Sequence, residues 1–490
     1  MTKQSARKEA IEFSLRRSLM MLPLGLLISG WILASTTLQA EGAGWKIDFD
    51  GSGSSPVVAD GVLYVGSADG AVYALNPETG ETKWRFQTGD SLPPASSGSQ
   101  IITVPRGASI SDQMAAGLDA AQKQRTAGTR RIDMAPAVED GTVFIGSGDR
   151  SFYAIDAATG RRKWSYEAGA GMASNNNSPL PIRAPMLKNG TVYFVTEEGL
   201  HALDALTGKR KWLFETLQEV PVKKMNLGRK RKPAGPVLGD GGIYLTAWPY
   251  GLSGAASKSF VYAVDPESGK AKWVTSVDDL DITEPVAAKG LIFVATHSSI
   301  LSSSHQATLY AINAADGQIK WKFGSEKNYG TSRLLISGNA IYFSTDKSVS
   351  ALELETGQPL WRFSADEIQG DLRADDQNLY VITHKGSMAR PDDTLRAVAC
   401  ATGQEKWSQE LSGAGYSQLL HDGVVYAGHL HAIDAGTGKR LWSFKGTGRD
   451  LAPVVSGGRI FVTSPTVGYT GTSRVDQGQL YAVDARTGKP

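Results

Sequence analysis

The sequence has a single cysteine, Cys400, and almost no excess charge, and both features exclude classes of protein. One thiol cannot form an intramolecular disulfide. The 51 basic and 49 acidic residues leave a formal net charge of +2, which gives no overall field that would select a nucleic acid or an anionic surface. The chain also lacks a GxSxG nucleophile elbow, an HExxH motif, a CxxCH motif and a phosphate-binding glycine loop, so no familiar catalytic signature is present.

What the sequence does contain is one repeated phrase, clearest as Ala-Ile-Asp-Ala-Ala-Thr-Gly-Arg-Arg-Lys-Trp at 154–164. Repetition at intervals of about 35 to 60 residues indicates a solenoid, a propeller or an array. A ninth copy, 482–489, stops before its tryptophan, whereas Trp45 has no copy before it. The tryptophans that we interpret as structural docking residues are Trp45, Trp84, Trp164, Trp212, Trp273, Trp321, Trp361, Trp407 and Trp442.

The chemistry of the phrase suits a turn between two strands. The Asp or Asn can accept hydrogen bonds from backbone N–H groups of the turn, and the Gly four residues later supplies a positive φ. The tryptophan is a large apolar group suited to wedging between neighbouring sheets. Glu353 and Ala399 replace the Asp in two copies, so the cap is not indispensable. Cys400 occupies the position of Ala157, where we expect a small packed residue.

Upstream of each phrase, short apolar runs flank a tight polar turn such as Asp140-Gly141, which is a strong hairpin signal. Each unit therefore consists of four antiparallel strands, A to D. The predicted fold is an all-β propeller with nine repeat units, in which the N-terminal strand at Trp45 supplies strand D of the last blade. Such closure removes two exposed sheet edges.

Excess length between units falls on one side of this propeller. Insertions follow strand D at 85–135, 165–183, 213–234 and 274–283, and lie between strands B and C at 246–259, 295–308, 382–394 and 464–479. Both kinds of connection emerge on the same face, so we expect that face to bind partners. The longest insertion, 85–135, includes a predicted helix at 110–124, interpreted either as a lid or docking helix or as a helix packed on its own blade.

Residues 1–40 differ in composition from the rest. A basic region is followed by an apolar run from Leu19 to Ala34, and two interpretations stand: a signal peptide cleaved after Ala40, or an uncleaved anchor over 19–38. Either places the single propeller domain, 41–490, outside the cytoplasm. We expect a monomer in the periplasm or outside the cell, tethered to the inner membrane if the anchor is retained.

A basic loop and two aromatic residues form the candidate site for a ligand or partner on the elaborated face: Lys223, Lys224, Arg229, Lys230, Arg231, Lys232, Trp248 and Tyr250. The loop suits an anionic polysaccharide or lipid head group, or is simply solvated. No aromatic residues interleave with the charges to stack bases, so nucleic acid is not expected. For His429 with His431, and for Asp278, Asp279 and Asp281, we favour packing and a polar loop over metal binding.

The repeated phrase resembles the tryptophan-docking repeats of the pyrroloquinoline-quinone-like β-propellers, over essentially the whole mature chain. That superfamily includes quinoprotein dehydrogenases and a non-catalytic BamB-like branch that acts in outer-membrane protein assembly. The resemblance implies eight blades, against the nine units counted, and leaves that choice open. The dehydrogenases carry a vicinal cysteine pair, which one cysteine cannot provide. We therefore expect no catalytic residues and no cofactor, and a scaffold that binds envelope proteins. The alternatives are a quinone- and calcium-dependent dehydrogenase and a polysaccharide binder.

Overall fold

The fold comes from a computed structural model of the chain. The chain divides into two compact units, Met1–Gly42 and Ala43–Pro490. The first unit lies outside the described residues, as do the predicted helix at 110–124 and most of the basic loop. The structure describes residues 44–49, 53–89, 131–132, 134–168, 184–196, 198–216, 231–249, 258–277, 282–297, 307–325, 333–365, 367–387, 390–412, 417–444, 453–470 and 473–490.

The first strand, β1 (Trp45–Phe49), precedes the first complete blade, and the next four blades follow in chain order. Blade 1 comprises β2 (Val57–Ala59), β3 (Val62–Gly66), β4 (Ala71–Leu75) and β5 (Thr82–Gln87). Blade 2 comprises β6 (Ala137–Glu139), β7 (Thr142–Gly146), β8 (Ser151–Asp156) and β9 (Arg162–Glu167). Blade 3 comprises β10 (Met186–Lys188), β11 (Thr191–Thr196), β12 (Gly199–Asp204) and β13 (Arg210–Glu215). Blade 4 comprises β14 (Arg231–Gly239), β15 (Gly242–Pro249), β16 (Ser259–Val264) and β17 (Ala271–Val277).

The remaining blades use the same four-strand plan. Blade 5 comprises β18 (Val286–Ala288), β19 (Leu291–Ala295), β20 (Thr308–Asn313) and β21 (Ile319–Gly324). Blade 6 comprises β22 (Arg333–Ser337), β23 (Ala340–Thr345), β24 (Ser348–Glu353) and β25 (Pro359–Ser364). Blade 7 comprises β26 (Ile368–Ala374), β27 (Asn378–Ser387), β28 (Arg390–Ala399) and β29 (Glu405–Ser412). Blade 8 comprises β30 (Gln418–His421), β31 (Val424–Ala427), β32 (His431–Asp434) and β33 (Arg440–Ser443). Blade 9 comprises β34 (Val454–Ser456), β35 (Arg459–Thr470), β36 (Ser473–Asp484) and the returning β1.

The predicted all-β propeller is confirmed, and the described residues form nine blades. Each of the nine sheets has four strands, and in the last one β1 pairs antiparallel with β36, from Trp45 opposite Ala482 to Phe49 opposite Gly478. The sequence expectation that the N-terminal strand supplies strand D of the last blade is therefore confirmed. This pairing joins the two ends of the repeat region and covers the edge of β36 that would otherwise be exposed.

Apolar clusters lie between all neighbouring blades and hold the ring together. One cluster spans blades 1 to 3, and separate clusters join each following pair up to blades 8 and 9. The ring closes through a cluster in which Phe49 and Leu480 of blade 9 pack with Leu63 and Val65 of blade 1. Strands B and C are buried on both faces, as β7 shows, whereas strand D alternates: Trp164 is half-buried and the adjacent Lys163 is exposed.

The docking of eight of the nine tryptophans onto the next blade combines a hydrogen bond with a close packing contact. Trp164 Nε1 donates to the backbone carbonyl of Ala205 in blade 3 at 3.0 Å. Its indole covers Gly208 so closely that a Cβ there would lie 2.5 Å from the ring. The glycine of the phrase thus has two roles, a positive φ and a flat surface for an indole. Corresponding hydrogen bonds are made by Trp45, Trp84, Trp212, Trp273, Trp361, Trp407 and Trp442.

The carboxylates of the phrase cap its turn, as the sequence predicts. Asp156 Oδ1 accepts hydrogen bonds from the hydroxyl and the N–H of Thr159 at 2.7 and 2.9 Å. These two bonds lower the pKa of Asp156 below its usual value. Glu353 reaches the corresponding threonine N–H at 2.6 Å, so the longer side chain replaces the aspartate. Ala399 has no side chain that can cap the turn, but its backbone carbonyl still accepts a hydrogen bond from Gly403 N–H at 2.8 Å.

Trp321 differs from the other docking tryptophans, which gives a testable difference in stability. Its buried Nε1 has no hydrogen-bond partner within the part of the chain that the structure describes. Leu354 stands where the other blades carry Ala, Pro or Cys. We expect Trp164→Phe to lower the free energy of unfolding by about 1–2 kcal/mol more than Trp321→Phe, because only the first breaks a bond to a carbonyl. Urea denaturation of both variants measures the difference, and equal losses would contradict the role assigned to the bond.

Candidate functional site

The two ends of the blades differ in the length of their connections. Strands A and B are joined by two residues in every blade except blade 7, where three residues are used. Strands C and D are joined by five or six residues. The B–C and D–A connections lie at the opposite end of the antiparallel sheets. We call that end the long-loop face and the other the short-turn face. Because binding residues are found disproportionately on loops held by a rigid scaffold, the long-loop face is the candidate binding face.

Hairpins extend beyond the usual strand length on the long-loop face, and they correct part of the sequence interpretation. The insertions at 382–394 and 464–479 consist mostly of continuous strand, in the hairpins β27–β28 and β35–β36. The sequence indicated only insertions between strands B and C here, without a conformation for them. In β35–β36, five residue pairs from Thr466 opposite Gln477 to Thr470 opposite Ser473 continue past β1 and β34 as a two-stranded ribbon.

A cavity of about 660 Å³ lies at the base of the β27–β28 hairpin, beside the end of β25 in blade 6. Its volume is in the usual range for ligand sites. Polar and charged side chains dominate the lining, and Phe363 contributes an aromatic ring. The lining residues are Phe363, Ser364, Ala365, Thr383, His384, Lys385, Asp393, Thr394, Arg396, Glu405, Glu410 and Leu411.

A buried histidine–aspartate pair lies in this lining. His384 on β27 is opposite Asp393 on β28, and its Nδ1 is 2.7 Å from Asp393 Oδ1. The side chains are 6% and 0% exposed, respectively. The second oxygen, Asp393 Oδ2, is also buried, and none of the described residues donates a hydrogen bond to it. A buried carboxylate oxygen without a donor is costly, so it marks this position as chemically unusual.

Arg396 forms a fixed part of the same lining. Its Nε donates to Thr383 Oγ1 at 2.9 Å and its Nη1 donates to Glu405 Oε2 at 2.7 Å. The guanidinium charge is therefore neutralised by a carboxylate within the cavity wall. The histidine–aspartate pair was not predicted from the sequence. His384 and Asp393 are brought together only by the register of the hairpin and belong to no recognisable local motif.

The residues predicted as a binding loop are not brought together by the described part of the structure. Residues 217–230 and Tyr250 lie outside the described residues, and for Arg231 and Lys232 only the backbone at the start of β14 is described. Trp248 is half-buried and packs against the apolar cluster between blades 4 and 5. It therefore contributes to the scaffold rather than to an exposed apolar patch.

Of the two histidines weighed as metal ligands, His431 begins β32, whereas the half-buried His429 lies in the turn between β31 and β32. His201 and His431 occupy the position of Tyr73 and Tyr153 and are 1% and 3% exposed. His431 Nδ1 is 2.8 Å from Ser443 Oγ, and His201 Nε2 is 2.8 Å from Thr196 Oγ1. No group of three or more His, Cys, Asp or Glu residues suited to a metal occurs among the residues described. Asp278, Asp279 and Asp281 lie outside them.

Burial of His201 predicts a pH dependence of stability. Its ring stacks on Phe194, and burial, with a smaller contribution from the charge of Arg210, lowers its pKa from 6.5 to about 4. Between pH 6.5 and pH 4, His201 is therefore protonated in the unfolded chain but neutral in the folded chain. The folded state loses stability relative to the unfolded state as the pH falls through this range. Between those limits we expect a loss of about 3 kcal/mol at this site.

Replacing His201 with tyrosine, the residue at this position in blades 1 and 2, should remove the part of the acid-induced loss of stability that is due to His201. Urea denaturation of the parent and the variant at pH 7 and pH 4.5 gives the loss in the free energy of unfolding for each protein. The difference between the two losses is the contribution of His201, since the other groups that titrate in this range are common to both. An acid-induced loss of equal size in both proteins would show that His201 is protonated in the folded state.

Cys400 packs as the sequence analysis expects. Its side chain is half-buried against the apolar cluster between blades 6 and 7, and its carbonyl accepts the hydrogen bond of Trp361 at 2.7 Å. Burial raises the pKa of the thiol. The thiol is therefore protonated at neutral pH and a poor nucleophile.

The described residues contain no helix long and apolar enough to cross a membrane. The segment 19–38, proposed from the sequence as an anchor, lies outside those residues, so anchoring and cleavage both remain predictions.

The fold and its repeats define the class of the protein as a nine-bladed β-propeller built from pyrroloquinoline-quinone-like repeats. A family model described as outer membrane protein assembly factor BamB matches residues 39–122, 119–323, 257–421 and 345–490. These matches cover nearly the whole propeller, and the chain belongs to that family.

Individual relatives are more distant. The chain is 26% identical over 250 residues to an outer membrane protein assembly factor BamB from Moranella endobia, covering 46% of this chain and 60% of that protein. It is 26% identical over 276 residues to a polyvinylalcohol dehydrogenase from Sphingopyxis, covering 48% of this chain and 39% of that protein. The chain thus spans no more than about three fifths of the length of these relatives.

Among solved structures, the fold is similar to the quinohemoprotein alcohol dehydrogenase from Comamonas testosteroni. The TM-score is 0.52 and the identity is 15%, covering 92% of this chain and 77% of that one. At that identity the likeness shows the shared propeller fold and carries no statement about activity.

Proposed function

We propose that this chain is a non-catalytic scaffold of the cell envelope that binds other proteins through its long-loop face during outer-membrane protein assembly. The observation that carries the proposal is the difference between the two faces. Two-residue and three-residue A–B turns leave the short-turn face without elaboration, and the extended hairpins all point to the other face.

The ribbon of β35–β36 supports a role in protein recognition. Its five outer residue pairs have strand partners on neither side within the described residues, so backbone N–H and C=O groups are available along both edges. An extended segment of a partner can pair with such an edge through main-chain hydrogen bonds. The ring of docked blades behind it keeps the ribbon in a fixed position, which lowers the entropy lost on binding.

Family membership supports the cellular setting. The family model and the relative from Moranella endobia are both named for outer-membrane protein assembly. The export signal expected in residues 1–40 would place the propeller in the periplasm, where such assembly takes place, with or without a tether at 19–38. We expect the propeller to act there as a monomer with protein partners.

Deletion of the gene tests this role in the native bacterium. We expect the amounts of folded outer-membrane β-barrel proteins to fall, measured by their heat-dependent shift in gel mobility, and to recover when the full chain is restored. Messenger RNA levels of the same proteins serve as the control for transcriptional effects. Unchanged amounts of folded barrels under envelope stress would argue against a role in assembly.

A quinone-dependent dehydrogenase is the second candidate, favoured by the similarity to a polyvinylalcohol dehydrogenase. Calorimetric titration of residues 41–490 with pyrroloquinoline quinone and calcium distinguishes the two. Saturable binding of about one quinone per chain would favour the enzyme and justify screening alcohols with an electron acceptor. We expect no heat of binding and no thermal stabilisation.

A further inference from the structure

The outer part of the β35–β36 ribbon leaves one edge of β36 without a partner strand among the described residues. β1 covers this edge only as far as Phe49, which lies opposite Gly478. The next described residue of the chain, Gly53, pairs instead with Ser67, beside blade 1. The edge at residues 473–477 therefore continues the ladder of β1, and no described strand of this chain occupies it.

The register of the ribbon decides which of its backbone groups point outward. In an antiparallel pair, residue pairs that exchange hydrogen bonds alternate with pairs that do not, and the N–H and C=O groups of the second kind point away from the partner strand. Ala485 N–H donates to the carbonyl of Gly458 at 2.9 Å, in the register that β35 and β36 continue. Counted from there, the pairs of the outer ribbon with outward-pointing backbone groups are Val467 with Asp476 and Tyr469 with Arg474.

Pro465 makes the two edges of the ribbon unequal. It lies opposite Gly478, in a pair that exchanges no hydrogen bonds, as a residue without an N–H requires. Its missing donor is therefore on the outer edge of β35, at the base of the ribbon, and a proline on an edge hinders the addition of a further strand. A strand added to β36 extends the ladder of β1 without interruption, whereas one added to β35 meets this proline.

The sequence adds a charge pattern to the open edge of β36. Arg474 and Asp476 are its two residues with outward-pointing backbone groups. Opposite charges at directly opposed positions of neighbouring strands stabilise their pairing, and like charges destabilise it. In an antiparallel partner strand, the residue opposite Asp476 comes first and the residue opposite Arg474 follows two positions later. The complementary segment is therefore extended and proline-free, with a basic residue followed two positions later by an acidic one.

We propose that residues 473–477 of β36 bind such a segment of another envelope protein by antiparallel strand addition. Main-chain hydrogen bonds to Arg474 and Asp476 supply the affinity, and the charges at these two positions select the segment. This inference rests on the scaffold function proposed above, and it specifies which edge of the long-loop face binds and what kind of segment it takes.

Proline substitutions at opposed residues of the ribbon test the proposal. Asp476→Pro removes an outward N–H from the β36 edge, and Val467→Pro, directly opposite, removes the corresponding group from the β35 edge. Neither N–H belongs to the ladder between β35 and β36, so both variants retain that ladder, as the native chain does at Pro465. Arg474→Pro and Tyr469→Pro are a second matched pair, used if a member of the first pair does not fold.

The measurement is photocrosslinking in the native bacterium, with p-benzoylphenylalanine at Thr470, the last residue of β35, in the full chain. We expect a crosslink to another envelope protein. Its yield should fall at least about fivefold with Asp476→Pro and stay unchanged with Val467→Pro, because a main-chain hydrogen bond to the partner is lost only on the β36 edge. Asp476→Lys keeps the N–H but reverses the charge, and should lower the yield about threefold. Amide hydrogen exchange of the purified variants checks that each retains the ribbon.

Some results would overturn the proposal and leave the scaffold function intact. These are a yield that Asp476→Pro does not change, equal falls in two variants that retain the ribbon, and a crosslink to a second copy of this chain. Crosslinks from the exposed Lys258 in blade 4 without any from Thr470 would have the same meaning. Absence of crosslinks from both positions would remove the scaffold function and this inference with it.

Discussion

Gly160→Ala is expected to lower the free energy of unfolding by about 2–4 kcal/mol. Gly160 has a φ of +70°, which costs any residue with a Cβ about 1–2 kcal/mol. A Cβ would also lie 2.7 Å from the indole of Trp84, so the docked ring must move and its hydrogen bond to Ala157, 2.9 Å, is lost. Urea denaturation of the purified domain measures the change.

Gly141→Ala is the matched control within the same blade. Gly141 has a φ of +64°, but nothing lies within 4 Å of the position of its Cβ. In this variant we expect the free energy of unfolding to fall only by the conformational cost of a Cβ at positive φ. The decreases for the two variants should therefore differ by about 1–3 kcal/mol. If both lose the same amount, the glycines of the phrase are required only for their backbone angle and the indole contact contributes nothing.

Removal of strand β1 should abolish the monomeric fold. Deleting residues 1–49 leaves the edge of β36 unpaired and removes Phe49, a 3% exposed member of the cluster between blades 9 and 1. Loss of a buried phenylalanine alone costs about 3–5 kcal/mol, and the lost strand pairing adds to it. The total is comparable with the stability of a typical domain. Size-exclusion chromatography with light scattering should therefore show aggregates in place of a monomer.

Deletion of residues 1–43, which keeps β1, is the control for this experiment and should yield a monomer with a cooperative unfolding transition. A stable monomer after deletion of residues 1–49 would mean that pairing of β1 with β36 is not needed to close the ring.

The repeated phrase made most of the fold predictable. Its tryptophans set the number of units, and Trp45 without a phrase indicated that the first strand completes the last blade. The contact of each indole with the glycine of the next blade was not predictable, because it joins residues that lie from 31 (Trp407 to Gly438) to 76 (Trp84 to Gly160) positions apart and that no local rule relates. For the exception at Trp321, the sequence shows only that Leu354 stands where the other blades carry Ala, Pro or Cys, and this difference alone does not predict the missing hydrogen bond.

The candidate site was less predictable than the scaffold. The position of the elaborated face was predicted from where insertions occur between strands. That residues 464–479 form a two-stranded ribbon was not predicted, because turn residues alone do not distinguish a long hairpin from a loop. His384 and Asp393 are nine positions apart and meet only through the register of β27 and β28. Sequence patterns give the period of a strand but not which residues of two strands face each other.

Site-specific photocrosslinking in living cells tests the central claim, that partners bind the long-loop face. A photoreactive p-benzoylphenylalanine is placed at Lys258 or Lys385 on the long-loop face, and at Asp140 or Asp422 on the short-turn face. All four native side chains are exposed. We expect crosslinks to envelope proteins, identified by mass spectrometry, from the first pair of positions and none from the second. Crosslinks confined to the short-turn face, or equally frequent from both faces, would contradict it.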